Sequence, residues 1–231
     1  MAFAKEQGLD SGRDELDLGY VGHAWLKAAF GDYAPRPWRL FMPTRLGRGH
    51  TNRILAYSAH SHGRLADHMC RFASPLVEAV CPPEAIQGKA LPQEWPAKRR
   101  YAFEVLCCPV GRKAGSGQEK DVFLIEADHN ASSEKLERSA VYRRWFKRQL
   151  DSISTVQLLE VELEGFRLSK IFRKTRAQNG QRKLVRRIRP QAGFRGVLET
   201  TDEGAGIVSL LKQGVGRHRA FGFGMILLRP A

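Results

Sequence analysis

A chain of 231 residues has room for one large domain or two of roughly 100 residues each. Its 42% hydrophobic and 9% aromatic residues supply a core, which excludes a disordered polymer. Lys and Arg number 38 against 24 acids, a formal charge of +14; so basic a chain expects a polyanionic partner, because each neutralised phosphate releases condensed counterions. No run approaches the ~20 apolar residues of a membrane span, and residues 1–7 lack the ~7–15-residue apolar run of a secretory signal. The four cysteines, Cys70, Cys81, Cys107 and Cys108, contain no CxxC pair. They read as reduced thiols of a cytoplasmic protein.

Leu16 to Phe30 reads as a helix, with Asp14, Glu15 and Asp17 at its start, where the helix dipole favours anions. Strand-like runs follow at 38–42 and 53–58, separated by a Gly/Arg turn at 46–50. His62 to Val80 carries Leu65, Met69, Phe72 and Leu76 at helical spacing, with Pro75 expected to end or kink the helix. The densest proline regions, 81–83 and 91–96, mark a domain boundary, giving domains 1–93 and 94–231. A strand at 100–110, a Gly/Ser loop at 111–118 and a helix at 134–150 come next. Val156 to Lys174 is a long alternating strand, Asn179-Gly180 a hairpin turn, and Lys183 to Thr200 the returning strand, bulged or broken near Pro190 to Gly193. A short helix at 204–213 and a strand at 221–228 complete the chain.

Each half approximates strand, helix, strand, strand, helix, strand. The expected fold is therefore α+β, with two tandem ferredoxin-like domains whose antiparallel sheets carry helices on one face. The first half lacks a convincing opening strand, which is missing, very short or upstream. Charge is concentrated in the second half. Between Gly165 and Pro190 stand Arg167, Lys170, Arg173, Lys174, Arg176, Arg182, Lys183, Arg186, Arg187 and Arg189, with no acid. That is too many cations for a mere guard against edge-to-edge aggregation and predicts a nucleic-acid-binding ribbon.

On a helical wheel Tyr20, His23 and Lys27 fall within about 60° of one another. Phe30 lies beside them, and Val21, Trp25, Ala28 and Ala29 form an opposite apolar stripe. A phenol, an imidazole and an ammonium on one face suit metal-free RNA scission. Imidazole can exchange a proton near neutrality, and a cation can stabilise a pentacoordinate phosphorane. Tyr20 and His23 also fit a solvated or half-buried helix face with no chemistry. The glycines Gly214, Gly216, Gly222 and Gly224 bracket Arg217, His218 and Arg219 between a helix and a strand. The pattern fits a backbone anion nest or a structural turn equally well, but it is neither a dinucleotide fingerprint nor a P-loop.

The run from Leu210 to Pro230, LLKQGVGRHRAFGFGMILLRP, resembles the C-terminal glycine-rich loop of the CRISPR repeat-RNA endoribonucleases of the CasE type, from subtype I-E Cascade. Tyr20-Val21-Gly22-His23 resembles the Tyr-x-x-His that carries that family's catalytic histidine. Residues 196–202 resemble the segment before the loop, and the basic ribbon stands where the family grips a repeat stem-loop. The resemblance implies a metal-independent endoribonuclease that needs no cofactor. His23 and Tyr20 would be catalytic, and the ten ribbon cations and the loop from Gly214 to Gly224 would bind RNA; Lys27 is not a fixed position of the family, and its place as an RNA-binding residue rests on the helical wheel alone. The implied partners are the CRISPR repeat hairpin and other Cascade subunits, with neither a membrane nor a small-molecule substrate. A non-cleaving RNA-binding subunit and a general nucleic-acid scaffold are the alternatives. His60, His62, His68 and Cys70 match no common closed zinc site, so no metal is expected.

Overall fold

The computed structural model describes residues 2–9, 16–42, 52–112, 118–130, 136–152, 156–174, 184–201 and 204–231. The turns expected at 46–50 and 179–180 lie outside these residues, as do Asp14, Glu15, Arg176, Arg182, Lys183 and most of the Gly/Ser loop. The chain opens with a helix, α1 (Ala2–Glu6), that buries Phe3 and Ala4; no opening strand stands before the next helix among the described residues. In α2 (Leu18–Phe30) the Asp17 carboxylate caps the first turn, accepting from Tyr20 N at 3.1 Å. The helix buries Trp25, Leu26, Ala29 and Phe30. Phe30 departs from the wheel: it packs edge-on to Trp25, centroids 5.8 Å apart, in the first core. Ala28, expected in the buried stripe, is exposed. The large ring takes the core position that a methyl group cannot fill.

The strands β1 (Trp38–Phe41) and β2 (Arg53–Ala56) pair antiparallel. In α3 (His62–Phe72), capped by Ser61, Leu65 and Met69 enter the first core, while Phe72 at the end is 70% exposed. Pro75 does not kink this helix; it begins α4 (Pro75–Glu78) at a first-turn position, where its missing N–H costs nothing. A 3-10 turn at Pro83–Ala85 and coil through the proline-rich segment follow. The first half thus keeps the helix–hairpin–helix middle of the ferredoxin-like order without flanking strands among the described residues.

The second half has the order complete. The strand β3 (Arg100–Cys107) alternates, burying Tyr101, Phe103, Val105 and Cys107. A small hairpin of β4 (Val110–Arg112) and β5 (Glu119–Asp121) leads into α5 (Val122–His129) and α6 (Arg138–Asp151). The hairpin β6 (Val156–Lys174) and β7 (Leu184–Thr200), then α7 (Ala205–Gln213) and β8 (Ile226–Pro230), complete the chain. The sheet order is β6-β7-β3-β8, every pair antiparallel. The helices α6 and α7 share one core with its inner face, where Phe146 stacks between Phe103 and Phe194 at 5.5 and 4.7 Å. The fold is α+β with antiparallel sheets, a tandem ferredoxin-like architecture abbreviated in its first half.

Two strand expectations shift. Phe221 lies in a 3-10 turn and the last strand starts at Ile226. The irregularity expected in β7 is in its partner: register slips between Leu158 and Glu160 and between Leu163 and Gly165. Pro190 is accommodated without a break because β7 pairs with β3 only from Ala192 onward and has β6 alone as neighbour before that. The same registers make 167–174 and 184–191 a two-stranded ribbon standing beyond the main sheet. Its root is fixed by Phe166, whose ring lies edge-on to Tyr142 at 6.1 Å and 4.5 Å from the Arg138 guanidinium. Arg138 and the Tyr142 hydroxyl both donate to buried Asp121, at 2.7 and 2.9 Å.

Candidate active site and nucleic-acid interface

Phe221, from the C-terminal loop, is the ring on which the candidate catalytic helix rests. The Tyr20 phenol stacks on it, centroids 5.9 Å apart and planes 10° apart, and the His23 imidazole lies 5.0 Å from it at 55°. Both rings are half-buried rather than sealed in the interior. The helix approaches closely because Gly19 faces the loop backbone: a Cβ there would stand 2.7 Å from Phe221 O. One turn on, Gly22 lies over Trp38, where a Cβ would overlap the indole. That indole donates to Ala220 O at 3.0 Å and also underlies Gly222. One buried side chain, 1% exposed, therefore supports helix and loop together.

Burial lowers the His23 pKa below 6.5, and the positive charges of Lys27 and Arg36 lower it further. The imidazole is neutral at pH 7 and can accept a proton. Lys27 shares its face as expected, but the ammonium is drawn to the helix end, donating to Gly31 O at 2.9 Å and to Asp32 at 3.3 Å. Arg36 and Phe221 have no signal in local spacing; they arrive through the turn of the chain after the helix and through the docking of the two halves.

The glycine loop closes on itself. Val215 N donates to Gly224 O at 2.8 Å, and Gly224 N to Leu106 O at 2.7 Å, pinning the bend to the central strand. Gly214, Gly216, Gly222 and Gly224 all have positive φ. At Gly224 a side chain is doubly barred, by φ +77° and by the adjacent Val215 carbonyl. His218 also has positive φ, +63°, and is inward-facing, with only 3% of its side chain exposed and Nε2 2.9 Å from Glu119. Arg217 Nε donates to the same carboxylate at 2.9 Å, and Arg189 from the ribbon root at 3.5 Å. Arg219 donates to Gln213 O.

Arg167, with its guanidinium on Gln191 Oε1 at 2.8 Å, and exposed Lys170 and Arg187 lie on the ribbon. The registers Arg173↔Val185, Lys174↔Leu184 and Phe172↔Arg186 put Arg173, Lys174 and Arg186 further along it. Of the expected RNA-binding cations, Arg176, Arg182 and Lys183 lie outside the described residues. The rest divide into an outer set on the ribbon and an inner set at its foot, beside the loop. Among the described residues no group of acids, histidines and cysteines could hold a metal ion. His60 and His68 instead pack on the Tyr33 ring, at 4.3 and 5.0 Å.

A tandem ferredoxin-like chain, abbreviated in its first half, with a basic ribbon rooted beside a glycine bend, is the class of fold these elements define. A family model described as CRISPR associated protein matches residues 3–230, and the chain belongs to that family. Among solved structures, the CRISPR endoribonuclease Cse3 bound to a 19-nucleotide RNA matches with a TM-score of 0.54 at 19% identity, over 92% of this chain and 90% of that one. Thermus thermophilus Cse3 bound to an RNA representing a pre-cleavage complex matches at 0.53 and 19%, over 93% and 90%. A chain of a CRISPR RNA-guided surveillance complex matches at 0.56 and 15%, over 94% and 96%. These likenesses show a shared fold. No curated protein matches.

Proposed function

We propose that this protein is a metal-independent endoribonuclease that cuts CRISPR repeat hairpins in precursor RNA at the base of the stem and stays on the product as a Cascade subunit. The observation that carries the proposal is the meeting of Tyr20 and His23 with Phe221, the centre of the glycine bend, at the foot of the cationic ribbon. An imidazole on a helix acquires a use when a backbone-anchored loop and a basic surface stand next to it. The relatives named above, an RNA-bound endoribonuclease and a chain of an RNA-guided complex, support the reading.

In this mechanism the ribose 2′-hydroxyl attacks the adjacent phosphorus, and neutral His23 takes its proton. The bond from phosphorus to the 5′-oxygen breaks, and the Tyr20 hydroxyl supplies the leaving oxygen with a proton. Lys27 and Arg36, whose charges already act on the imidazole, stabilise the dianionic phosphorane. The products are a 2′,3′-cyclic phosphate and a 5′-hydroxyl. No metal is needed to generate the nucleophile, because it is tethered beside the phosphorus. The ribbon holds A-form RNA through its phosphates, since side chains cannot read the deep, narrow major groove.

The test is cleavage of a repeat hairpin in excess EDTA, with and without one 2′-deoxyribose at the nucleotide before the cut. The expected result is scission of the all-ribose substrate and none of the deoxy one. His23→Ala should reduce cutting at least a hundredfold, the low end of general acid–base contributions (roughly 10² to 10⁴), and leave hairpin affinity within a few-fold. Binding without any product over the whole pH range would make the protein the non-cleaving RNA subunit instead.

A further inference from the structure

We propose that Glu119 is the positioning residue of the candidate site: one carboxylate on β5 that locks the glycine loop to the ribbon root and thereby sets where the Phe221 ring meets Tyr20 and His23. This role in catalysis rests on the function proposed above; the role in holding the loop does not.

Two guanidiniums and an imidazole from two distant segments converge on this acid. Arg217 Nε lies 2.9 Å from Oε1, His218 Nε2 lies 2.9 Å from Oε2, and an Arg189 amino group lies 3.5 Å from Oε2. The acid is mostly enclosed, 13% exposed, as are His218 at 3% and Arg189 at 15%. A carboxylate so withdrawn from water interacts more strongly with its partners than an exposed one. A buried Arg189 Nε has no hydrogen-bond partner, so Glu119 is the acid that meets this guanidinium. Without Glu119 the two guanidiniums would repel each other across the space the acid now fills.

The contact reaches the reacting groups through the backbone. His218 holds a left-handed conformation, φ +63°, that non-glycine residues adopt at a cost and keep only where surroundings enforce it. Its carbonyl accepts from Phe221 N at 2.8 Å, which starts the 3-10 turn carrying the ring. The path thus runs from Glu119 to the His218 imidazole, through the turn to Phe221, and onto Tyr20 and His23. Glu119 acts through the loop, as a positioning residue rather than a catalytic one.

An acid beside a phosphate-binding surface repels the ligand, so this role carries a signature that a binding role lacks. Glu119→Ala is expected to cut at least tenfold more slowly at saturating hairpin under single-turnover conditions, while hairpin affinity is unchanged or a few-fold tighter. Glu119→Gln, which keeps the shape and the acceptor for Arg217, guards against a folding failure and should fall between wild type and Ala. The ring protons of His23, read by NMR in free protein, are shifted by the Phe221 ring current and should move towards unstructured values in both variants. Wild-type cleavage rates at saturation, or unmoved His23 resonances, would overturn the proposal. If the wild-type protein never cuts but the His23 resonances move, the nuclease reading fails and the loop-holding role stands.

Discussion

At the scale of single residues, the His23 environment makes a signed prediction. Burial and two cations hold its pKa below 6.5, so the form competent to accept a proton is already dominant at neutral pH. The acid limb of the cleavage profile should therefore lie below pH 6.5, with a plateau above it. Removing either positive charge, by Lys27→Met or Arg36→Gln, lets the pKa rise and moves that limb to higher pH; a limb that stays in place would refute the electrostatic account. Gly22→Ala is a steric counterpart. Its Cβ would overlap Trp38, which is fully buried and held by Ala220 O, so overpacking should cost roughly 1–3 kcal/mol. Melting temperature and cleavage rate should both fall. The sequence made Tyr20 and His23 legible as neighbours because helical spacing is a local property. It hid Phe221, Arg36 and Glu119 because their proximity depends on how loops return. Lys27 was placed on the right face, but two nearby acceptors at the helix end, Gly31 O and Asp32, redirect its ammonium.

At the scale of elements, the proposed function assigns grip to the ribbon and chemistry to α2. Arg167→Glu and Arg187→Glu alter exposed positions well along β6 and β7. Each should weaken hairpin binding similarly across stem sequences and reduce the slope of log affinity against log salt by about one per lost phosphate contact. Cleavage at saturating RNA should stay close to the wild-type rate. A salt slope unchanged in both variants would mean that RNA does not follow the ribbon. The strand lengths here were readable because alternation and an uninterrupted cationic run persist through both strands. The register slips were not, since bulges depend on pairing, and Pro190 drew attention to the wrong strand. The helix α5 escaped for another reason. It is short, and its start is set by Asp121 capping Phe123 N while also serving Arg138 and Tyr142, a tertiary arrangement with no periodic trace.

At the scale of the molecule, side-chain hydrogen bonds join the halves beside the packing of α2 on Phe221: Trp38 to Ala220 O, the Tyr57 hydroxyl to Ile226 O at 2.9 Å, and Arg39 to Glu104 at 2.8 Å. Burial pushes the Tyr57 pKa up to about 12, so its hydroxyl remains a donor across the usable pH range. Tyr57→Phe and Trp38→Phe should each destabilise by about 1–3 kcal/mol, since each leaves a carbonyl unmet. Only the Trp38 variant should also slow cleavage, because only Trp38 underlies both helix and loop. Equal losses of activity in calorimetrically matched variants would contradict that division. The second half was legible as a whole because strand and helix signals alternate in the ferredoxin-like order. The first was legible only in its middle. Phe3 enters the first core from a helix of five residues, too short for either periodicity to declare itself.

The indole of Trp38 has an optical consequence. Of the four tryptophans, Trp25 and Trp38 belong to the first core and Trp95 and Trp145 to the second; Trp38 also lies at the seam, beneath Gly22 and Gly222. In a chain with the other three replaced by phenylalanine, its emission becomes an intrinsic gauge of whether the seam is shut. Stopped-flow fluorescence could then report in real time whether RNA binding disturbs that indole, with no label attached to protein or RNA.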